Sequence, residues 1–187
     1  MRARDLPNLI TLVRFLLVPP VVVLLLNQRY GLALGVFMIA GFSDALDGYL
    51  AKRFQWTSRL GGLLDPLADK ALLISCYLSL AVLGMIPLWL VVLVIVRDLV
   101  IISGAAAYHL WVEVLQPQPR LLSKLNTAAQ LLLVLAVMFS AGLIRLDPFW
   151  IQALVALVLI TTVASGADYV WTWGRRARHH RRQAARG

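Results

Sequence analysis

Six apolar stretches divide the chain, at about 9–27, 31–53, 61–84, 86–110, 120–143 and 148–173. Each is close to the roughly 20 apolar residues that an α-helix needs to cross a hydrocarbon layer. Between them lie Asn27-Gln28-Arg29, Thr57-Ser58-Arg59, Gly84 to Pro87, Gln116-Pro117-Gln118-Pro119 and Arg145 to Pro148. These are polar or turn-forming residues. An isolated strand would leave its backbone amides unsatisfied in hydrocarbon, so each stretch is predicted to be helical. Trp89, Trp150, Trp171 and Trp173 stand near stretch ends, where an indole is half wet and half buried. The pattern shows no internal repeat and no soluble domain. Residues 1–8 are too few for a transit peptide, and the first apolar run passes signal-peptide length without a cleavage site.

Composition supports this reading. Of 187 residues, 60% are apolar and 14% charged, whereas a water-soluble domain is nearer half apolar and a quarter charged. Disorder is excluded on the same ground. The single cysteine, Cys76, excludes an intrachain disulfide framework and reads as a small core residue. The expected fold is therefore an all-α integral membrane protein of six transmembrane helices.

Charge sets the orientation. Eighteen basic and nine acidic residues leave +9. Six arginines (Arg175, Arg176, Arg178, Arg181, Arg182 and Arg186) lie in the last thirteen residues, so residues 1–174 read as the membrane domain and 175–187 as a basic tail. Six spans put both termini on one side. That side carries Arg2, Arg4, Lys52, Arg53, Arg59, Arg120, Lys124 and the tail arginines, thirteen cations against Arg29 and Arg145 opposite. The positive-inside bias then predicts a multi-pass protein of the cell (inner) membrane with both termini cytoplasmic. The same bias accounts for the tail without a nucleic-acid partner.

Several charges fall inside the apolar runs: Arg14, Asp44, Asp47, Asp65, Asp69, Lys70, Arg97 and Asp98. Each costs at least a few kcal/mol in hydrocarbon, which marks a functional cavity. Asp44 and Asp47 are three residues apart, and Asp65 and Asp69 four apart, so each pair shares one helix face. A short connection would make the second and third helices antiparallel neighbours, with four carboxylates converging at the cytoplasmic edge. So many acids cannot all stay ionised unaided. Hard divalent cations such as Mg²⁺ or Mn²⁺ resolve the conflict, and Mg²⁺ characteristically shares its shell with phosphates. Salt bridges are the competing explanation, but too few cations stand at that depth to pair four acids. For Arg97 and Asp98, neighbours in sequence, simple pairing and a functional role are both open.

At these residues the chain resembles the CDP-alcohol phosphatidyltransferase family, whose signature is D-x2-D-G-x2-A-R-x8-G-x3-D-x3-D. Asp44, Asp47, Gly48, Ala51, Gly61, Asp65 and Asp69 fall on it with every spacing intact, seven positions over 26 residues. The signature arginine is replaced by Lys52, followed by Arg53. Lysine keeps the charge but loses the two-pronged donor that suits phosphate, so either Lys52 or Arg53 would hold the nucleotide's diphosphate. The resemblance implies a site for two divalent cations (Mg²⁺ or Mn²⁺) formed by Asp44, Asp47, Asp65 and Asp69. It makes Asp69 the general base and sets Gly48, Ala51 and Gly61 against the cytidine nucleotide. It also implies a reaction in which CDP-diacylglycerol gives up its phosphatidyl group with release of CMP.

The acceptor is read from three further segments. Pro7, Asn8, Thr11 and Arg14 resemble the P-N-x-x-T-x-x-R opening of phospholipid-making members. Asn8 and Thr11 would contact the nucleotide, although Asn8 would equally serve to cap the first helix. Arg14, on the face of Thr11, would reach an anionic group. Arg97 and Lys124 would complete a pocket for an acceptor carrying phosphate, which disfavours cationic choline or ethanolamine. Ser123 to Gln130 resembles the S-K-x-N-T-x-x-Q of members that make cardiolipin from phosphatidylglycerol, rather than the G-K-x-K-T-x-x-Q of those that use glycerol 3-phosphate. The expected reaction makes cardiolipin, with phosphatidylglycerophosphate synthesis second. A cation transporter is the alternative of another class, but it would spread charge through the membrane depth, and here charge gathers towards one side. Ala105-Ala106-Ala107 would permit a homodimer.

Overall fold

The computed structural model describes the backbone of residues 6–54, 61–111 and 121–184, and the side chains of 12–43, 68–104, 121–169 and Trp171. Six helices run through them: α1 (Leu6–Leu26), α2 (Tyr30–Phe54), α3 (Gly61–Val82), α4 (Leu88–Trp111), α5 (Leu121–Gly142) and α6 (Pro148–Ala184). Among the described residues there is no strand. The first five helices begin and end within a few residues of the apolar stretches. The sixth does not, because α6 runs on through the arginines to Ala184. Hydropathy reports where a hydrocarbon environment would end, not where a helix ends. Arginine, alanine and glutamine are good helix formers, and nothing after Gly174 breaks the backbone.

Local chemistry explains the ends. At the α1 terminus Gln28 takes a φ of 58°. Its N–H donates to Leu25 O, and that of Arg29 to Leu24 O, both at 2.8 Å. At the α3 terminus Gly84 has a φ of 72°, with Gly84 N–H on Ala81 O at 3.0 Å and Met85 N–H on Leu80 O at 2.9 Å. Both are Schellman caps, in which one left-handed residue lets two successive amides satisfy the last carbonyls. Glycine meets that demand freely at 84, while Gln28 pays the left-handed cost of a side chain. Pro148 opens α6, where its missing N–H has no helical partner to lose, and Ser140 Oγ accepts from Leu146 N–H at 3.0 Å across the α5–α6 turn. Pro19 and Pro20 lie inside α1, leaving the carbonyls of Phe15 and Leu16 without their usual donors.

The chain packs as two compact units, Met1–Leu88 with Val134–Asp147 and Trp89–Leu133 with Pro148–Gly187. In the first, α1 packs against both α2 and α3, and Val21, Leu25, Phe37, Ala68, Leu72, Cys76 and Leu80 are buried. The start of α2 and the end of α5 meet backbone to backbone. A Cβ placed on Gly142 would lie 2.5 Å from Gly31 N and 2.9 Å from its Cα. In the second unit Leu90, Val91, Ala129, Leu133 and Val158 are buried. Outward faces carry Leu16, Val82, Leu88, Leu121, Phe149 and Ile160, an apolar surface poorly suited to water. Among the described residues, two segments, Leu121–Gly142 and Pro148–Tyr169, are long and apolar enough to cross a membrane.

Candidate active site

The four signature aspartates belong to the first unit. Asp44 and Asp47 are one turn apart towards the end of α2, and Asp65 and Asp69 one turn apart near the start of α3. The side chains of Asp44, Asp47, Gly48, Ala51, Lys52, Arg53, Gly61 and Asp65 lie outside the described ones, as do those of Asn8, Thr11, Ala105 to Ala107 and the tail arginines. Asp69 is described. Its carboxylate is about half exposed, at 48%, and its Oδ1 accepts from Arg14 Nη1 at 2.6 Å. Arg14 is only 2% exposed, so the guanidinium comes from the packed side of α1 while the carboxylate faces outward. Sequence reading singled out both residues but directed Arg14 to an anionic acceptor. No spacing rule connects positions 55 residues apart. The pairing exists because α1 lies on α3.

A second polar cluster occupies the other unit, where α4, α5 and α6 contribute to it. Arg97 Nη1 donates to Asp98 Oδ1 at 2.7 Å. Its Nη2 donates to Ser123 Oγ at 2.9 Å and to Ser165 Oγ. The Arg97–Asp98 pairing is thus formed, with both side chains buried, and the guanidinium also ties α4 to α5 and α6. Lys124, predicted alongside Arg97, is exposed on α5. Arg14 belongs to the first unit and Arg97 and Lys124 to the second.

One helical turn beyond Ser123, Asn126 is fully buried. Its Oδ1 accepts from Thr162 Oγ1 at 2.8 Å and lies 3.0 Å from Thr161 Oγ1. The single Thr161 hydroxyl hydrogen is shared with the carbonyl of Leu157 at 2.8 Å. Among the described residues, Asn126 Nδ2 and Arg97 Nε are buried without a hydrogen-bond partner. Buried donors seldom stay unmatched, so this cluster offers N–H groups to an oxygen acceptor. Thr161 was not singled out from the sequence, and Ser165 only as part of the segment Thr162 to Tyr169, which resembles the cardiolipin-making members. The signal was present, since Thr161, Thr162, Ser165 and Asp168 recur at helical spacing within an otherwise apolar run.

The CDP-alcohol phosphatidyltransferase family model matches residues 4–167. The CMP-forming cardiolipin synthases of Rattus norvegicus and Homo sapiens are 36% and 35% identical over 190 aligned residues, covering 91% of this chain. The chain spans 62% of the length of each. A probable phosphatidylglycerophosphate synthase of Mycobacterium tuberculosis is 32% identical over 182 residues, covering 90% of this chain and 81% of that protein. With the family matched across nearly the whole chain and its aspartates set on α2 and α3, this protein belongs to the CDP-alcohol phosphatidyltransferase family.

Proposed function

We propose that this protein transfers the phosphatidyl group of CDP-diacylglycerol to a hydroxyl of phosphatidylglycerol, forming cardiolipin and releasing CMP. The reading of the reaction rests on family membership and on the half-exposed carboxylate of Asp69 on α3. In this reaction Asp69 takes the proton of the acceptor hydroxyl, for which hydrogen-bond reach is the geometric requirement. The hydroxyl oxygen attacks the β-phosphorus, and the bond from that phosphorus to the oxygen of CMP breaks. Lys52 or Arg53 would hold the diphosphate, with Asn8, Thr11, Gly48, Ala51 and Gly61 around the nucleotide.

The family is generally dependent on divalent cations. The donor set fits such ions, because Asp44, Asp47, Asp65 and Asp69 offer only carboxylate oxygens, a turn apart on each helix. Two Mg²⁺ or Mn²⁺ ions held there would draw charge from the transferring phosphate and stabilise the leaving CMP. The apolar outward faces and the cation bias support six transmembrane helices, both termini cytoplasmic, and a site at the cytoplasmic edge of the inner membrane. A diacylglycerol chain could then stay in lipid while CMP departs into water.

The choice of phosphatidylglycerol is supported by the resemblance of Ser123 to Gln130 to members that make cardiolipin, and by the similarity to two CMP-forming cardiolipin synthases, 36% and 35% identical over 91% of this chain. The relative from Mycobacterium tuberculosis favours a second reading, with glycerol 3-phosphate as acceptor. The two separate in one experiment: purified protein, labelled CDP-diacylglycerol, and either phosphatidylglycerol or glycerol 3-phosphate, with lipid products resolved by chromatography. Cardiolipin from the first mixture is expected. Product from glycerol 3-phosphate alone would transfer the assignment to the second reading.

A further inference from the structure

The ion pair between α1 and α3 is unequally exposed at its two ends. Arg14 is 2% exposed and Asp69 48%, with Nη1 to Oδ1 at 2.6 Å. Solvent at an exposed end screens the attraction, so such a pair contributes little to stability. Here the cation is enclosed by packing, its side-chain freedom already removed, while the anion is left open to an incoming molecule. A guanidinium fixed in that way restrains a carboxylate from beneath without covering it.

We infer that Arg14 is a positioning residue of the transfer reaction: from the packed side of α1 it fixes the Asp69 carboxylate that faces the acceptor hydroxyl. This rests on the proposed function, since it needs Asp69 to act on that hydroxyl. It replaces the role expected from sequence, in which Arg14 would itself bind an anionic acceptor. The two roles differ in what they leave behind when the guanidinium is removed. Loss of an acceptor-binding group weakens binding and raises KM, whereas loss of a positioning group leaves substrates bound beside a misplaced base and lowers kcat. Misplacement by about 1 Å costs on the order of a hundredfold in rate. The positioning also depends on shape, because lysine keeps the charge but not the planar fork.

The test uses the full chain in detergent with CDP-diacylglycerol and, in parallel, phosphatidylglycerol and glycerol 3-phosphate, reading CMP release. Arg14→Gln is expected to lower kcat about a hundredfold with both KM values within about threefold of wild type. Arg14→Lys should recover part of that loss, again without a change in KM. Binding of labelled CDP-diacylglycerol by each variant reports that the fold persists. If Arg14→Gln does not purify as a folded protein, the kcat and KM of Arg14→Lys decide the matter. An unchanged kcat, or a loss confined to the acceptor KM, overturns the inference and leaves the reaction standing. Wild-type protein that releases no CMP with either acceptor overturns both.

Discussion

Asp69 and Arg97 show how much a charge depends on what surrounds it. Asp69 stands half exposed above an enclosed guanidinium, and it is the member of the aspartate set whose side chain is described. Arg97 and Asp98 are both buried, and Arg97 reaches three partners on three helices. Removing one partner of a buried pair leaves a charge uncompensated, whereas neutralising a carboxylate that binds cations removes affinity for them but little packing. Asp44→Asn and Asp65→Asn should therefore abolish CMP release while thermal unfolding in detergent stays close to wild type. Treatment with EDTA should silence the wild-type protein in the same way, with Mg²⁺ or Mn²⁺ restoring it. An Asp44→Asn or Asp65→Asn protein that turns over normally would remove these residues from the site. The aspartates were legible in the sequence because three- and four-residue spacing is a property of any helix. The Ser165 contact was not, since Arg97 and Ser165 are 68 residues apart.

The helices themselves answer to local rules, and the points of close approach between them do not. Apolar run length and turn residues located five helices to within a few residues at each end. Gln28 and Gly84 occupy equivalent cap positions with different side chains, which the hydropathy pattern does not distinguish. The contact of α2 with α5 is sharper. At Gly142 a methyl group would meet the backbone N and Cα of Gly31 at 2.5 and 2.9 Å, and Tyr30 C at 2.9 Å, and backbone cannot rotate aside as a side chain can. Gly142→Ala should destabilise the protein by about 1–3 kcal/mol, the range typical of overpacking. Gly35 has nothing within 4 Å of an added Cβ, so Gly35→Ala should be neutral or slightly stabilising through helix propensity. Thermal melts of the two variants side by side provide the comparison, and equal shifts would show that the Gly31–Gly142 approach is not tight.

For the molecule as a whole, helix α6 carries the basic tail onward as helix to Ala184, beyond the end of the apolar stretch near residue 173. None of the residues assigned to the reaction lies beyond that point. A protein lacking residues 175–187 should retain turnover in detergent, and its complete loss would place the tail within the site. What consecutive residues determine by themselves is considerable: the helical character of the described residues, the extent of five helices, the uneven spread of cations along the sequence, and the aspartate pairs with the family they signal. All of these depend on run length, on helical periodicity or on local charge, which near neighbours in the chain settle among themselves. Which side chains meet across long separations was decided only in three dimensions. Arg14 lies on Asp69, Arg97 joins Ser123 and Ser165, and Asn126 holds Thr162. Apolar faces can pack in many registers with similar burial of surface, so periodicity says that helices associate without saying which residues touch. The close fit of small residues and the need to satisfy buried polar groups select one arrangement, and those pairings belong to tertiary structure.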